Sequence, residues 1–186
     1  FNFNSDPSNY SIRVQAKDEH NTTVENVFAV TLANQSPNHL RTVSALAIVE
    51  NQPTGSIIGE FNATDPEGGV LTYSLVSGQG DENNQFFMLD TNGTLKIERS
   101  FDYETEALTY SIRVQAKDEY NASLEKAFSV ELQNINENPV IHSANIGNNG
   151  PTLLGLVSVP ENSTLALEVN ASDPDRDPVH FYKTAG

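Results

Sequence analysis

The sequence contains no cysteine, which excludes disulfides, thiolate metal sites and Cys nucleophiles together. It has no tryptophan and a single methionine. Basic residues are scarce: 10 Lys and Arg stand against 25 Asp and Glu, giving a formal charge of −15. That balance speaks against nucleic acid or an anionic lipid surface as partner. It suits divalent cations, high-salt surroundings or plain solubility. No apolar run approaches the roughly 18 residues of a membrane span. No signal peptide is visible, and the start at Phe1 reads as a window onto a longer chain, with export signal, anchor and any membrane contact outside it. His20, His39, His142 and His180 are scattered without metal spacing. No G-x-S-x-G, H-E-x-x-H or phosphate-loop pattern occurs, so nothing points to an enzyme.

What is present is a repeat. "YSIRVQAKDE" occupies Tyr10–Glu19 and returns, letter for letter, at Tyr110–Glu119. Tyr110, Ile112, Val114 and Ala116 fall on one face of a strand; Ser111, Arg113, Gln115 and Lys117 fall on the other. Water-facing Arg, Gln and Lys are interchangeable for folding, so their identity in both copies reads as duplication. The period predicts one complete unit of about 100 residues flanked by parts of its neighbours. Residues 1–38 end one repeat, 39–138 form a second, and 139–186 begin a third.

The complete unit predicts seven strands: Ser44–Val49, Ser56–Asn62, Val70–Val76, Gln85–Leu89, Thr94–Glu98, Thr109–Lys117 and Lys126–Asn134. Turn clusters at Asp65–Gly69, Ser77–Asn84 and Thr91–Gly93 separate them, and no segment has sustained helical periodicity. Short strands between close turns predict a β-sandwich.

The acids are unevenly placed. Glu50 lies at the end of the first strand, Asp102 and Glu104 precede the sixth, Glu137 lies at the exit, and Asp173 and Asp175 follow the second strand of the next repeat. In an antiparallel sandwich alternate strand ends reach the same pole, so these six carboxylates can meet at the repeat junction. At about 4 Å and an effective dielectric near 20, each like-charged pair costs roughly 4 kcal/mol. A hard cation with six to eight oxygen ligands removes that cost, which is calcium chemistry. "DPDRDP" (Asp173–Pro178) also raises an EF-hand loop, but Pro178 replaces the required Gly and Thr184 the required Glu. A glycosidase pair is not supported, because the acids recur with the repeat and no cleft is implied.

These residues resemble cadherin repeats. "VENQ" at Glu50 and "PENS" at Glu161 resemble the PEN motif, and "FDYE" (Phe101–Glu104) the D-R-E motif. "NINENPV" (Asn134–Val140) is similar to the D-x-N-D-N-x-P linker, "ATDPE" and "ASDPD" to D-x-D, and "QAKDE" to A-x-D. "FFMLDTNGTLKI" resembles the stretch that precedes D-R-E. The motifs occur in the family's order along the whole chain. The resemblance implies an all-β, seven-strand Greek-key β-sandwich of cadherin/immunoglobulin-like kind, repeated in tandem. It also implies Ca2+ at the second junction, bound by Glu50, Asp102, Glu104, Glu137, Asp173 and Asp175, the side-chain oxygen of Asn136, and the carbonyls of Ile135 and Asn138. Asn134 stands where the linker has its first acid, and Glu137 is one methylene longer than the usual Asp. The first junction departs further. Asn2 and Asn4 replace two acids and Pro37 a third, leaving Asp65, Glu67 and Asp118 for a calcium-poor, more flexible joint.

The expected function is that of a calcium-rigidified extracellular segment of a cell-surface or secreted adhesion protein. A spacer or filament subunit without adhesive surface, and metal-free immunoglobulin-like repeats, are the rivals. The expected partners are neighbouring repeats of the array, with homophilic or head-to-tail self-association of copies. Strand exchange through an N-terminal Trp is unsupported, since these residues contain no Trp. Eight Asn-x-Ser/Thr sequons (Asn9, Asn21, Asn34, Asn62, Asn92, Asn121, Asn162, Asn170) read either as glycan acceptors of a secreted eukaryotic protein or as chance in an Asn-, Ser- and Thr-rich bacterial repeat.

Overall fold

Alternation makes strands here, and a second sheet decides which of them acquire a core. The computed structural model describes residues 3, 5–146, 151–152 and 167–182. Asn2, Asn4, Glu161 and Asn162 lie outside them. The chain divides into two units, Phe1–Phe101 with Ala107–Gln133 and Asp102–Glu106 with Asn134–Gly186.

In the first unit, β1 (Asn9–Lys17) and β2 (Thr23–Thr31) form an antiparallel pair. The strands that follow are β3 (Asn38–Thr42), β4 (Ala47–Val49), β5 (Ile57–Thr64), β6 (Thr72–Leu75), β7 (Phe87–Leu89), β8 (Thr94–Ile97), β9 (Thr109–Lys117) and β10 (Ser123–Gln133). They build two four-stranded sheets, β4-β10-β9-β6 and β3-β5-β8-β7. The chain passes repeatedly between the sheets, and β7–β8 and β9–β10 are its in-sheet hairpins, the Greek-key sandwich that the resemblance implies. Tyr110, Ile112, Val114 and Ala116 are buried, and the core is completed by Ile48, Phe61, Leu95, Ile97, Phe101 and Val130 among others. Each such large apolar side chain contributes about 1.5–3 kcal/mol on burial. Phe86, Phe87, Phe101 and Tyr110 pack ring to ring with centroids 5.0 to 6.3 Å apart.

Three details differ from the sequence expectation. The expected first strand, Ser44–Val49, forms only as β4, which pairs parallel with β10, and an additional strand, β3, precedes it and pairs antiparallel with β5 in the other sheet. Between them Val43 N–H donates to Glu60 and the Leu46 carbonyl accepts from Glu131, so a backbone bond anchors each side of the change of sheet. Leu46 then packs so close over Gly59 that a Cβ there would run into its side chain. The strand expected from Gln85 opens instead as a 3-10 turn, Asn84–Phe86. Asn83 and Asn84 accept from the N–H groups of Ser111 and Arg113 at 2.9 and 3.0 Å, standing in for β6 where its pairing with β9 has ended.

The third difference is a correction. Arg and Gln of the repeated decapeptide are not interchangeable surface residues. Arg113 and Gln115 both donate to Glu125, at 3.0 and 2.9 Å, and Arg13 and Gln15 donate to Glu25 at the same distances. The same cross-strand trio occurs in both copies, which gives part of the sequence identity a local structural reason.

The second unit pairs β11 (Val140–Ile146) antiparallel with both β12 (Pro151–Thr152) and β13 (Leu167–Ser172).

Candidate metal centre

Glu50 follows β4 directly. Its N–H donates to Gln133, and the N–H of Asn51, held at a positive φ of 60°, donates to the carbonyl of Phe101. Phe101 is itself locked by the aromatic cluster and by Arg99, whose guanidinium carbon lies 4.0 Å from its ring centroid. The core thus fixes the backbone on either side of the acids. After Phe101 the chain turns tightly: the Glu106 N–H bonds the Asp102 carbonyl, and the Glu104 N–H bonds Asp102 Oδ1 at 3.1 Å.

The outcome is that Glu50, Asp102 and Glu104 each bring a carboxylate oxygen within 4.8 Å of the others. They are the one such group of three among the described residues. Glu50 is only 1% exposed, Glu104 half-buried and Asp102 exposed. At the outer limit of that spacing each charged pair costs about 3.5 kcal/mol at an effective dielectric near 20, less where water reaches Asp102. Hard oxygen donors at this density match a divalent cation such as calcium.

Glu137, Asp173 and Asp175 form a hydrogen-bonded set in the second unit. Asp175 Oδ2 accepts the N–H of Glu137 at 2.6 Å, and Asp173 Oδ1 accepts the N–H of Asp175 at 3.0 Å. The other oxygen of Asp175 is buried with no hydrogen-bond partner. A buried carboxylate oxygen left this way is costly without a cation or other donor, so the residues present fit a metal. Asn136 donates its side-chain amide to the Glu137 carbonyl at 3.1 Å, leaving its side-chain oxygen available. Ile135 and Asn138 are exposed.

The acids expected at the first junction are arranged differently. Asp65 caps its own turn, accepting from the N–H groups of Glu67 and Gly69. Asp118, 4% exposed, accepts from Tyr120 and Ala122 through Oδ1. Its Oδ2 takes the side-chain amide of Asn34 at 2.7 Å. Asp65, Glu67 and Asp118 form no close carboxylate group among the described residues. Sequence reasoning missed Asn34 as a partner of Asp118. The available signal was its position, since an amide stands there where the family pattern has an acid.

A model described as Cadherin domain matches residues 44–133. The chain is 31% identical to human Protocadherin Fat 4 across 94% of its own length, and spans 4% of that protein. It is 26% identical to chimpanzee (Pan troglodytes) Protocadherin gamma-C5 over 82% of its length and 18% of that relative's. The solved extracellular domain of Protocadherin GammaB4 aligns over 90% of this chain and 29% of its own, at 21% identity and a TM-score of 0.48.

Proposed function

This chain belongs to the cadherin family, whose repeats are non-enzymatic extracellular modules of cell-surface adhesion proteins, and we propose that calcium stiffens it at the passage from its second repeat to its third. On this reading residues 39–138 are a complete repeat, 1–38 the end of the one before and 139–186 the start of the one after. Glu50, Asp102, Glu104, Glu137, Asp173 and Asp175 would supply carboxylates, Asn136 its side-chain oxygen, and Ile135 and Asn138 their carbonyls. Calcium, when bound, supplies the positive charge that lets these oxygens share one space. The protein's part is to hold Glu50 and Asp102 in place through the core-anchored Phe101. In the longer protein the stiffened segment would serve adhesion, with self-association of copies as its mode.

The observation that carries the reading is the approach of three carboxylates within 4.8 Å. The buried, unpartnered oxygen of Asp175 supports it independently. The first passage is read as calcium-poor, because the Asn34 amide already takes up one oxygen of Asp118. Asp65, Glu67 and Asp118 would make at most a weak site there.

Calorimetric titration of the full chain tests this. Calcium is expected to bind with a dissociation constant on the order of 10⁻⁴ to 10⁻³ M, the range of extracellular modules. Asp102→Asn with Glu104→Gln is expected to abolish the tightest binding while leaving the circular dichroism spectrum unchanged. Undiminished binding in that folded variant would overturn the assignment.

A further inference from the structure

The eight sequons are not equivalent once the fold and the repeat are considered together. Asn34 has its amide on the buried Asp118 and its oxygen buried, so it has no room for a sugar. Asn92 has a sufficient structural role: its Oδ1 accepts the N–H of Thr94 and closes the β7–β8 turn, beside Gly93 at a φ of 96°. Asn9 is engaged with Thr31 and Ser8.

Asn121 and Asn62 differ from these. Asn121 is exposed in the β9–β10 turn at a φ of 70°, and Asn62 is exposed on β5. Neither side chain makes a hydrogen bond among the described residues, so both amides face water. Both also recur in the repeat. Asn121-Ala122-Ser123 corresponds to Asn21-Thr22-Thr23, with Asn21 exposed at a φ of 68°. Asn62-Ala63-Thr64 corresponds to Asn170-Ala171-Ser172, and Asn170 is exposed too.

The left-handed turn explains the asparagine at 21 and 121, because Asn tolerates positive φ better than most residues. It does not explain a hydroxyl two residues later; at Ser123 that hydroxyl makes only a long contact, accepting from Gln115 at 3.5 Å, and Ser172 meets His142 at 2.6 Å, whereas no side-chain hydrogen bond of Thr64 is seen among the described residues. In both pairs that third residue changes between Ser and Thr, the one exchange that preserves an acceptor sequon. On β5 no backbone requirement accounts for the asparagine either. We infer that Asn62 and Asn121, with their repeat equivalents Asn170 and Asn21, carry N-linked glycans, and that Asn34 does not. The extracellular setting of the family supplies the secretory route that such a modification needs.

Expression of the full chain behind a cleavable secretory leader in a eukaryotic cell tests this, with native monomer recovered from lumen and medium. Glycan release by peptide-N-glycosidase converts each occupied Asn to Asp, which peptide mass spectrometry reads directly. Conversion is expected at Asn62 and Asn121 and not at Asn34. Ser123→Ala and Thr64→Ala are each expected to remove one glycan's mass while leaving the asparagine and its backbone conformation in place. Unconverted Asn62 and Asn121, or native monomer with Asn34 converted, would overturn the inference.

Discussion

The two copies of "YSIRVQAKDE" make the same ladder and the same Arg–Gln–Glu trio, yet only one of them lies in a core. Ile112 and Val114 in β9 are 0% exposed, whereas Ile12 and Val14 in β1 are 51% and 50% exposed. The acids that end the two segments also differ. Asp18 and Asp118 cap the same turn through Oδ1, but only Asp118 is buried and also receives the Asn34 amide. Within residues 1–186 one sequence therefore forms the same hairpin with and without a second sheet over it. The hairpin arises from alternation and a capped turn; the stability arises from the sheet that packs against it.

The sharpest way to break this comparison is to delete the same side chain in each copy. Ile112→Ala should cost about 2–5 kcal/mol, the usual range for a fully buried aliphatic truncation. Ile12→Ala, at a half-exposed position, should fall within about 0.5 kcal/mol of the parent. Urea denaturation of the two variants reads the difference, and equal losses would mean that the β1–β2 face is covered after all.

The acids give the next largest contrast. Asp118→Ala leaves the N–H groups of Tyr120 and Ala122 and the Asn34 amide without their acceptor, at about 1–3 kcal/mol for buried groups. Asp18→Ala should cost less, since water can replace the lost acceptor at that exposed turn. If the two variants melt together, the Asn34–Asp118 bond contributes nothing.

The smallest effect sharpens the cross-strand trio. Hydrogen bonds from Arg113, then Gln115, hold the Glu125 carboxyl below its ordinary value. A depressed carboxyl stabilises the fold above its unfolded pKa, and the stabilisation is lost as pH falls through the folded value. Glu125→Gln should therefore be slightly less stable than the parent at neutral pH, with the gap closing in the acid range below the ordinary glutamate value. A gap that stays constant down to that range would remove the ionic part of the explanation.

What could be read from the sequence was what local pattern dictates. Alternation at Tyr110, Ile112, Val114 and Ala116 fixed the core face of β9, and Glu50, Asp102 and Glu104 stood out in the sequence as acids at strand ends. The additional strand β3 was not legible, because Asn38–Thr42 offers one buried apolar residue, Leu40, and no alternation. Nor was the Asn34–Asp118 bond, which joins residues 84 apart in sequence through tertiary packing alone. The Arg113–Glu125 pair was overlooked for a different reason: the register that brings strands β9 and β10 together had to be known before the charges could be matched.

The melting temperature of the full chain in calcium and in chelator tests the central claim most directly. At a ten-fold excess of calcium over its dissociation constant, linkage adds about 1.4 kcal/mol per site, so melting should move upward, and magnesium at the same concentration should move it less. The upward shift should persist in Asp18→Asn and vanish in Asp102→Asn with Glu104→Gln. An identical melting temperature with and without calcium, or a shift that survives loss of those two carboxylates, would contradict the account.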